Sequence, residues 1–355
     1  MSALVLTHSP LDSDRFGMRI MRGRFEAAEA GTLAAEIISA GCDVAIVRIP
    51  SGSSSGIFRL TRWALPVQQA DTLVHYRCDL RRHEPRPLRH TDMTFALAQE
   101  GDMPELLGMV ARTFKDYPSH YQANPLFASD KILAGYQAWA QSHATDPGRA
   151  LWIARRQNRM VGFGAYHEIP DGDEMHASLV GVSPLDAGAG VYGDLIRHAQ
   201  SEARGRGIGV MKLPTQAGNF AVQKALAREG FHMFEALDTF HVNALLSCGE
   251  TCLEHVLTFD GSASAADSAT PMGHAATAAR EFSRLLGAAD PELAGRCGHM
   301  DIAVLQSPPV NQSCHLQVRL VTAETHPEWQ QAIFTLRDSA GSMCVIARAD
   351  ASLEH

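Results

Sequence analysis

The stretch that most restricts what this chain can become is a strand, a glycine turn and a helix in immediate succession. Met175-His-Ala-Ser-Leu-Val-Gly-Val182 has the composition of a strand and ends at Ser183-Pro184, where proline removes a ladder donor. Ala187-Gly-Ala-Gly-Val-Tyr-Gly193 turns the chain, and Asp194 to about Arg204 then carries apolar residues at helical spacing. That order exposes the backbone N–H groups of a helix N-terminus, the arrangement an anion such as a phosphate requires. An α/β (α+β) fold is expected around it.

The 355 residues suit two or three compact units at roughly 150 residues each. Residues 1–90 read as a small α/β unit. Ala34 to Ala40 is helical in composition and stops at Gly41, Asp43 to Ile49 is a mostly buried strand, and Thr72 to Cys78 alternates like a half-exposed one. The basic, proline-containing stretch Arg81 to Arg89 is expected as a linker. Residues 91–247 form the second unit. A helix lies within Phe95 to Phe114 and another over Ile132 to Ala140, while Ala150–Arg155 and Met160–Tyr166 make a hairpin across a short polar turn. Residues 248–352 form the third unit, with a candidate first strand from Glu254, a helix opening at Thr270-Pro271, and strands over 300–305, 315–322, 330–337 and 343–349. Residues 353–355 resemble the start of a cloning tag.

Composition narrows the function classes. Hydrophobic residues make up 45% and charged residues 20%, close to ordinary globular averages. A net charge of −8 lacks the basic footprint of a nucleic-acid binder. No apolar run approaches the roughly 20 residues that cross a bilayer, and the N-terminus lacks a secretory pattern, so a cytoplasmic protein is expected. The seven scattered cysteines suit reduced thiols. Cys248 and Cys252 form a lone C-x-x-x-C without a second ligand pair, and no metal is expected.

Val182-x-Pro184, the glycine turn, the amphipathic helix, the strand from Gly209 to Leu213, Thr215 with Asn219, and Gly230-Phe231 together resemble the GNAT superfamily of N-acetyltransferases over residues 92–245. The segment Leu11-Asp-Ser-Asp-Arg-Phe-Gly17 and the short α/β unit also resemble the nucleotide-sugar branch, whose type member acetylates TDP-fucosamine. On that likeness residues 1–90 are a partial GNAT-like unit. One helix laid against antiparallel strands in residues 248–352 is similar to a hotdog fold, the architecture of acyl-thioester hydrolases and dehydratases.

The resemblance implies an acetyl-CoA or other acyl-CoA co-substrate and a small amine acceptor, with a nucleotide-linked amino sugar as one candidate. An acyl carrier protein is a second candidate donor. Ala187, Gly188, Ala189, Gly190, Val191, Tyr192 and Gly193 would cradle the diphosphate, and the amides of Val180 or Val182 would face the carbonyl and pantetheine. The family's opening Arg or Gln is Ala187 here, and its final small residue is Tyr192. His176, six residues before Val182, stands where relatives hold a glutamate base, and histidine can accept a proton near neutral pH. A strand-end histidine without a catalytic role is the alternative. His167 and Glu168 are the next candidates.

Where relatives place an acid tyrosine, four residues before Gly230-Phe231, this chain has Leu226. Tyr192 or solvent would substitute. Asn219 either contacts the donor or caps the helix after it. Tyr117, His120, Tyr121 and Asn124 mix aromatic and amide groups suited to a polar ring, or form a packed turn. Asp267, His274 and Glu281 are the ionisable residues nearest the hotdog-like helix, and His274 and Glu281 could share a face. Rival readings are a thioesterase whose GNAT half only presents the thioester, and a non-catalytic acyl-CoA-binding module. A homodimer through the hotdog-like strands is expected.

Overall fold

The structure is a computed structural model, and it describes residues 6–26, 29–146, 148–169, 172–258, 271–289, 291–297, 299–309, 311–324 and 326–350. The elements run in the order β1 (Thr7–His8), α1 (Pro10–Phe16), β2 (Ile20–Arg24), α2 (Ala30–Ser39), β3 (Val44–Pro50), β4 (Val67–Asp79), β5 (Met93–Leu97), α3 (Met103–Phe114) and α4 (Ser129–Thr145). There follow β6 (Arg149–Arg156), β7 (Arg159–Glu168), β8 (Glu174–Val182), α5 (Val191–Gly205), β9 (Val210–Gln216), α6 (Phe220–Arg228) and β10 (His232–Asn243). The last group is β11 (Glu250–Thr258), α7 (Pro271–Ala289), α8 (Pro291–Arg296), β12 (Met300–Val304), β13 (Ser313–Thr322), β14 (Gln330–Arg337) and β15 (Met343–Asp350).

Contacts group the chain into two units that do not follow chain order. The first holds Met1–Ala70, Ala123–Ala128 and Thr239–His355; the second holds Asp71–Gln122 and Ser129–Asp238. In the second unit the strands are ordered β4-β9-β8-β7-β6-β5. β5 through β8 pair antiparallel, β8 runs parallel to β9, and β9 is antiparallel to β4. Gln157 and Asn158 turn the β6–β7 hairpin with φ of 50° and 61°, the left-handed pair that a two-residue turn demands.

One face of this sheet is covered by α3 and α4 through Leu106, Met109, Val110, Phe114 and Ala140 packed on Leu151, Ile153, Phe163, Ala165 and Leu179. The other is covered by α5 and α6 through Ile196, Ala199, Ala203 and Leu226 packed on Tyr76, Tyr166, Met175, Ala177 and Leu213. α5 sits close on β7 because Gly162 has no side chain: a Cβ there would lie 2.8 Å from Leu195 Cδ1. The helix expected within Phe95 to Phe114 is α3, which begins at Met103 with Pro104 in its first turn, where a missing N–H costs nothing, while Phe95 lies in β5.

In the first unit β1, β2 and β3 pair in order, β2 and β3 in parallel. A separate five-stranded antiparallel sheet has the order β11-β13-β14-β15-β12. Its core is Phe282, Leu285 and Leu286 of α7 against Leu316, Val318, Phe334, Leu336, Val345 and Ala347, with Phe282 stacked on Phe334 at 5.0 Å. The segment joining β10 to β11 is pinned from both sides. Asp43 accepts from the N–H groups of Ser247 and Cys248 at 2.7 and 2.9 Å. Arg319 donates to the carbonyls of Cys248 and Leu245 at 2.6 and 3.0 Å, and the buried Arg348 donates to those of Ala64 and Ala244. These bonds explain why the N-terminal and C-terminal stretches group together. All seven cysteines are free thiols, and no helix among the described residues is long and apolar enough to cross a membrane.

Candidate active site

The site is built by a break in the sheet of the second unit. β8 and β9 pair only at Glu174–Val210, Met175–Met211 and His176–Lys212, although β8 continues to Val182 and β9 to Gln216. Beyond His176 the facing backbone groups of the two strands do not bond each other, so β8 offers its amides to whatever enters the gap. Just past that point β8 carries a bulge. Ala165 pairs with Leu179 but Tyr166 pairs with Ala177, which leaves Ser178 as the extra residue. Ala177 therefore packs with the α5 cluster and Leu179 with the α3–α4 cluster. The bulge re-aims the strand where pairing ends.

The glycine turn lies at the far end of β8. Gly188 and Gly190 have φ of +77° and +98°, which L side chains rarely adopt. Gly190 is the N-cap of α5 and offers no side-chain cap to the first N–H groups, so they are free for an external acceptor. Ala187, Gly188 and Ala189 are exposed, and Val191 is buried as the first apolar anchor of α5. The buried Asp194 does not place negative charge at this turn. Its carboxylate accepts from the N–H groups of Arg89 and His90 at 2.7 and 3.0 Å and is bonded to His90 Nδ1 at 2.7 Å and to Arg197 at 3.1 Å.

The expected linker is thus docked on α5, with Arg197 also donating to Pro87 O. The docking brings Arg89 to the turn, where its Nη1 would lie 2.9 Å from a Cβ on Gly190. A guanidinium from upstream stands beside the cradle where Ala187 supplies none. Sequence reading missed it because residue 89 is distant along the chain.

On the α3–α4 side of the sheet, three histidines form a row. The rings of His143 and His167 are 6.4 Å apart and those of His167 and His176 are 5.4 Å apart. His176 Nε2 is bonded to Glu174 Oε2 at 3.0 Å, and Glu174 also takes Lys212 Nζ at 2.7 Å. Lys212 first and His176 second hold the Glu174 carboxyl below its usual pKa. His167 Nδ1 is bonded to Ser178 Oγ at 2.8 Å, and burial, then His176, pushes the His167 pKa down. The Glu168 carboxylate is taken by Arg206. Among the described residues no three His, Cys, Asp or Glu are placed to hold a metal.

Phenols gather near the end of β9. Tyr117 donates to Gln216 Oε1, and burial, outweighing contacts with Asn219 and Thr215, raises its pKa. Burial raises Tyr192 further, with Tyr166 and Tyr117 adding to it. Both stay protonated at neutral pH and can donate. The wholly buried Tyr166 hydroxyl has no hydrogen-bond partner among the described residues. Leu226 is a core residue of α6, and Asn219 caps that helix by accepting from Val222 N–H at 3.3 Å.

The remaining candidates fall elsewhere. His120 is buried with its ring 4.0 Å from Tyr121. Asn124 belongs to the first unit, where its Nδ2 is bonded to Asn243 Oδ1 at 2.8 Å and to His241 Nδ1 at 3.2 Å. Those bonds use the Asn124 side-chain amide within the first unit. Asp267 lies outside the described residues, as does the His274 side chain. Glu281 is bonded to Arg284 at 3.0 Å.

Residues 108–231 match the acetyltransferase (GNAT) family. No curated protein matches the chain. Similar solved structures include a putative GNAT-family acetyltransferase from Novosphingobium aromaticivorans, 19% identical over 61% of this chain and 81% of that one, with a TM-score of 0.39. A GCN5-related N-acetyltransferase from Sphaerobacter thermophilus is 15% identical over 66% and 74%, with a TM-score of 0.46. A conserved protein of unknown function from Staphylococcus epidermidis is 11% identical over 68% and 92%, with a TM-score of 0.48.

Proposed function

We propose that the protein is an acyl-CoA-dependent N-acyltransferase that moves an acetyl group to a small amine. The observation that carries this reading is the parting of β8 from β9 after His176, in a chain whose residues 108–231 match the acetyltransferase (GNAT) family. The uncapped α5 N-terminus and Arg89 suit the two ends of that requirement: backbone N–H groups and a cation for a diphosphate. In the gap, the amides of Val180 or Val182 would polarise the thioester carbonyl. His176 and His167 are the imidazoles available for the amine's proton, and Tyr192 and Tyr117 are phenols able to protonate the departing thiolate.

An amino sugar on a nucleotide carrier is the acceptor class this reading favours, supported by the N-terminal likeness to the nucleotide-sugar branch. The five-stranded sheet with α7 against it supports reading a hotdog-like second module, and on the proposed reading this module would dimerise through its strands in a cytoplasmic enzyme. Calorimetry should show saturable acetyl-CoA binding, and thiol release should depend on an added amine. No heat with any short acyl-CoA overturns the proposal, and thiol release without amine favours thioester hydrolysis instead.

A further inference from the structure

We propose that Ser178 carries the acceptor's proton to His167. This rests on the N-acyltransferase reading. Two imidazoles lie near the gap, but they are not equally available. His176 Nε2 is held by Glu174, and that carboxylate is in turn held by Lys212. His167 meets the gap through a hydroxyl: its Nδ1 is bonded at 2.8 Å to Ser178 Oγ, the one β8 residue the bulge sets out of register.

Ser178 lies two residues past the last β8–β9 pair at His176 and two before Val180, whose amide is a candidate for the carbonyl. An amine attacking that carbonyl would approach beside the Ser178 hydroxyl. A bulge at the point where pairing stops is how a strand re-aims a functional group, and it distinguishes Ser178 from an ordinary strand serine.

The proton balance is simple. The ammonium N–H passes its proton to Ser178 Oγ as the Ser178 O–H proton moves to His167 Nδ1, and the neutral amine's lone pair forms the C–N bond at the thioester carbonyl. The C–S bond then breaks with its electron pair on sulfur, and the second amine proton goes to that thiolate through a phenol such as Tyr192 or through solvent, leaving an amide and a free thiol. No covalent bond to serine forms, and the hydroxyl is restored in the same step. His167 returns its proton to solvent. The groups facing His167 are His143 from α4, Arg149 from the paired strand β6, and His176 with Ser178 from β8. Three of these four are bases or cations, which favours the neutral imidazole and keeps it able to accept at neutral pH.

The relay requires a particular tautomer, with Nδ1 free of hydrogen and Nε2 protonated. Imidazole ¹⁵N chemical shifts of the full-length wild-type protein should show it for His167 at pH 7.5, and finding hydrogen on Nδ1 overturns the relay whether or not any amine is acylated. With acetyl-CoA and an accepted amine, Ser178→Ala should lower kcat/KM about 10² to 10³-fold with KM for acetyl-CoA unchanged. Ser178→Thr, which keeps the hydroxyl, should recover most of the loss. The acid limb of the wild-type kcat/KM profile should lie below pH 6.5 and vanish in His167→Gln. Full activity and an unaltered profile in Ser178→Ala overturn the relay while leaving the acyltransferase reading intact. A wild type that binds no acetyl-CoA overturns that reading, and the tautomer then still decides whether the serine can pass a proton to this histidine.

Discussion

In the five-stranded sheet β13 pairs with β14 without a break from His315–Arg337 to Thr322–Gln330, whereas β8 and β9 pair at three positions and then part. The two regions also use their charged and polar side chains differently. Arg319 and Arg348 are buried and donate to the carbonyls of the β10–β11 joint; they hold the chain together. Along β8 the half-buried Glu174, His176 and Ser178 face open or polar surroundings. A sheet that completes its own pairing is scaffold. One that interrupts it at a bulge, beside a helix N-terminus without a cap, leaves donors for a ligand. On the proposed reading, the contrast places the chemistry in the second unit.

The variant expected to strain that contrast most is Phe282→Ala. Phe282 is fully buried and stacked on Phe334 at 5.0 Å, and removing such a ring typically costs about 3 to 5 kcal/mol. The urea midpoint should fall accordingly. Under conditions where the protein remains folded, the acetyl-CoA dissociation constant should stay at its wild-type value. A large change in affinity would mean that the five-stranded sheet takes part in donor binding, and the division into scaffold and site would fail.

Gly190→Ala should do the reverse, with a modest loss of stability and a larger loss of binding. At φ +98° a Cβ is strained by about 1 to 2 kcal/mol, and it would also displace the Arg89 guanidinium, whose Nη1 lies 2.9 Å from the new atom. Acetyl-CoA affinity should drop about tenfold or more, which corresponds to at least about 1.4 kcal/mol of binding, and calorimetry measures it. Unchanged affinity would remove the turn from the donor site.

What sequence could show follows from the range over which each feature is encoded. Gly188 and Gly190 advertise their positive φ locally, and the strand and helix on either side repeat with their own periods, so the turn was legible. Ser178 was not: Ala177, Ser178 and Leu179 satisfy either an even strand or a bulged one, and only the pairing with β7 decides. The Asp194 clamp joins residues about a hundred positions apart, beyond any local pattern, so Arg81 to Arg89 read as a linker. The partners of Asn124 were illegible for the same reason. Its neighbours in sequence suggest a sugar-binding loop, while its partners His241 and Asn243 lie 117 and 119 residues away. In the five-stranded sheet, by contrast, the expected strand 330–337 coincides with β14, Gln330 to Arg337, because its mostly apolar run from Ala332 to Leu336, buried without interruption, is set off locally by Gln330 and Gln331 on one side and Arg337 on the other.

Lys212→Met should have the smallest effect on stability and still sharpen the contrast. Lys212 bonds Glu174, which bonds His176, and the carboxyl's pKa is depressed in the folded state. A depressed carboxylate contributes stability above its unfolded pKa, near 4.5, and that contribution fades as pH falls through the folded value. Because both partners are partly exposed, the contribution at pH 7 should be under about 1 kcal/mol, seen as a small fall in the urea midpoint that disappears once the pH has dropped through the folded-state value. If His176 only flanks the proton path, kcat/KM at pH 7.5 should change less than about threefold, far less than in Ser178→Ala. A drop as large as that of Ser178→Ala would transfer the base role to His176 and leave the bulge as architecture.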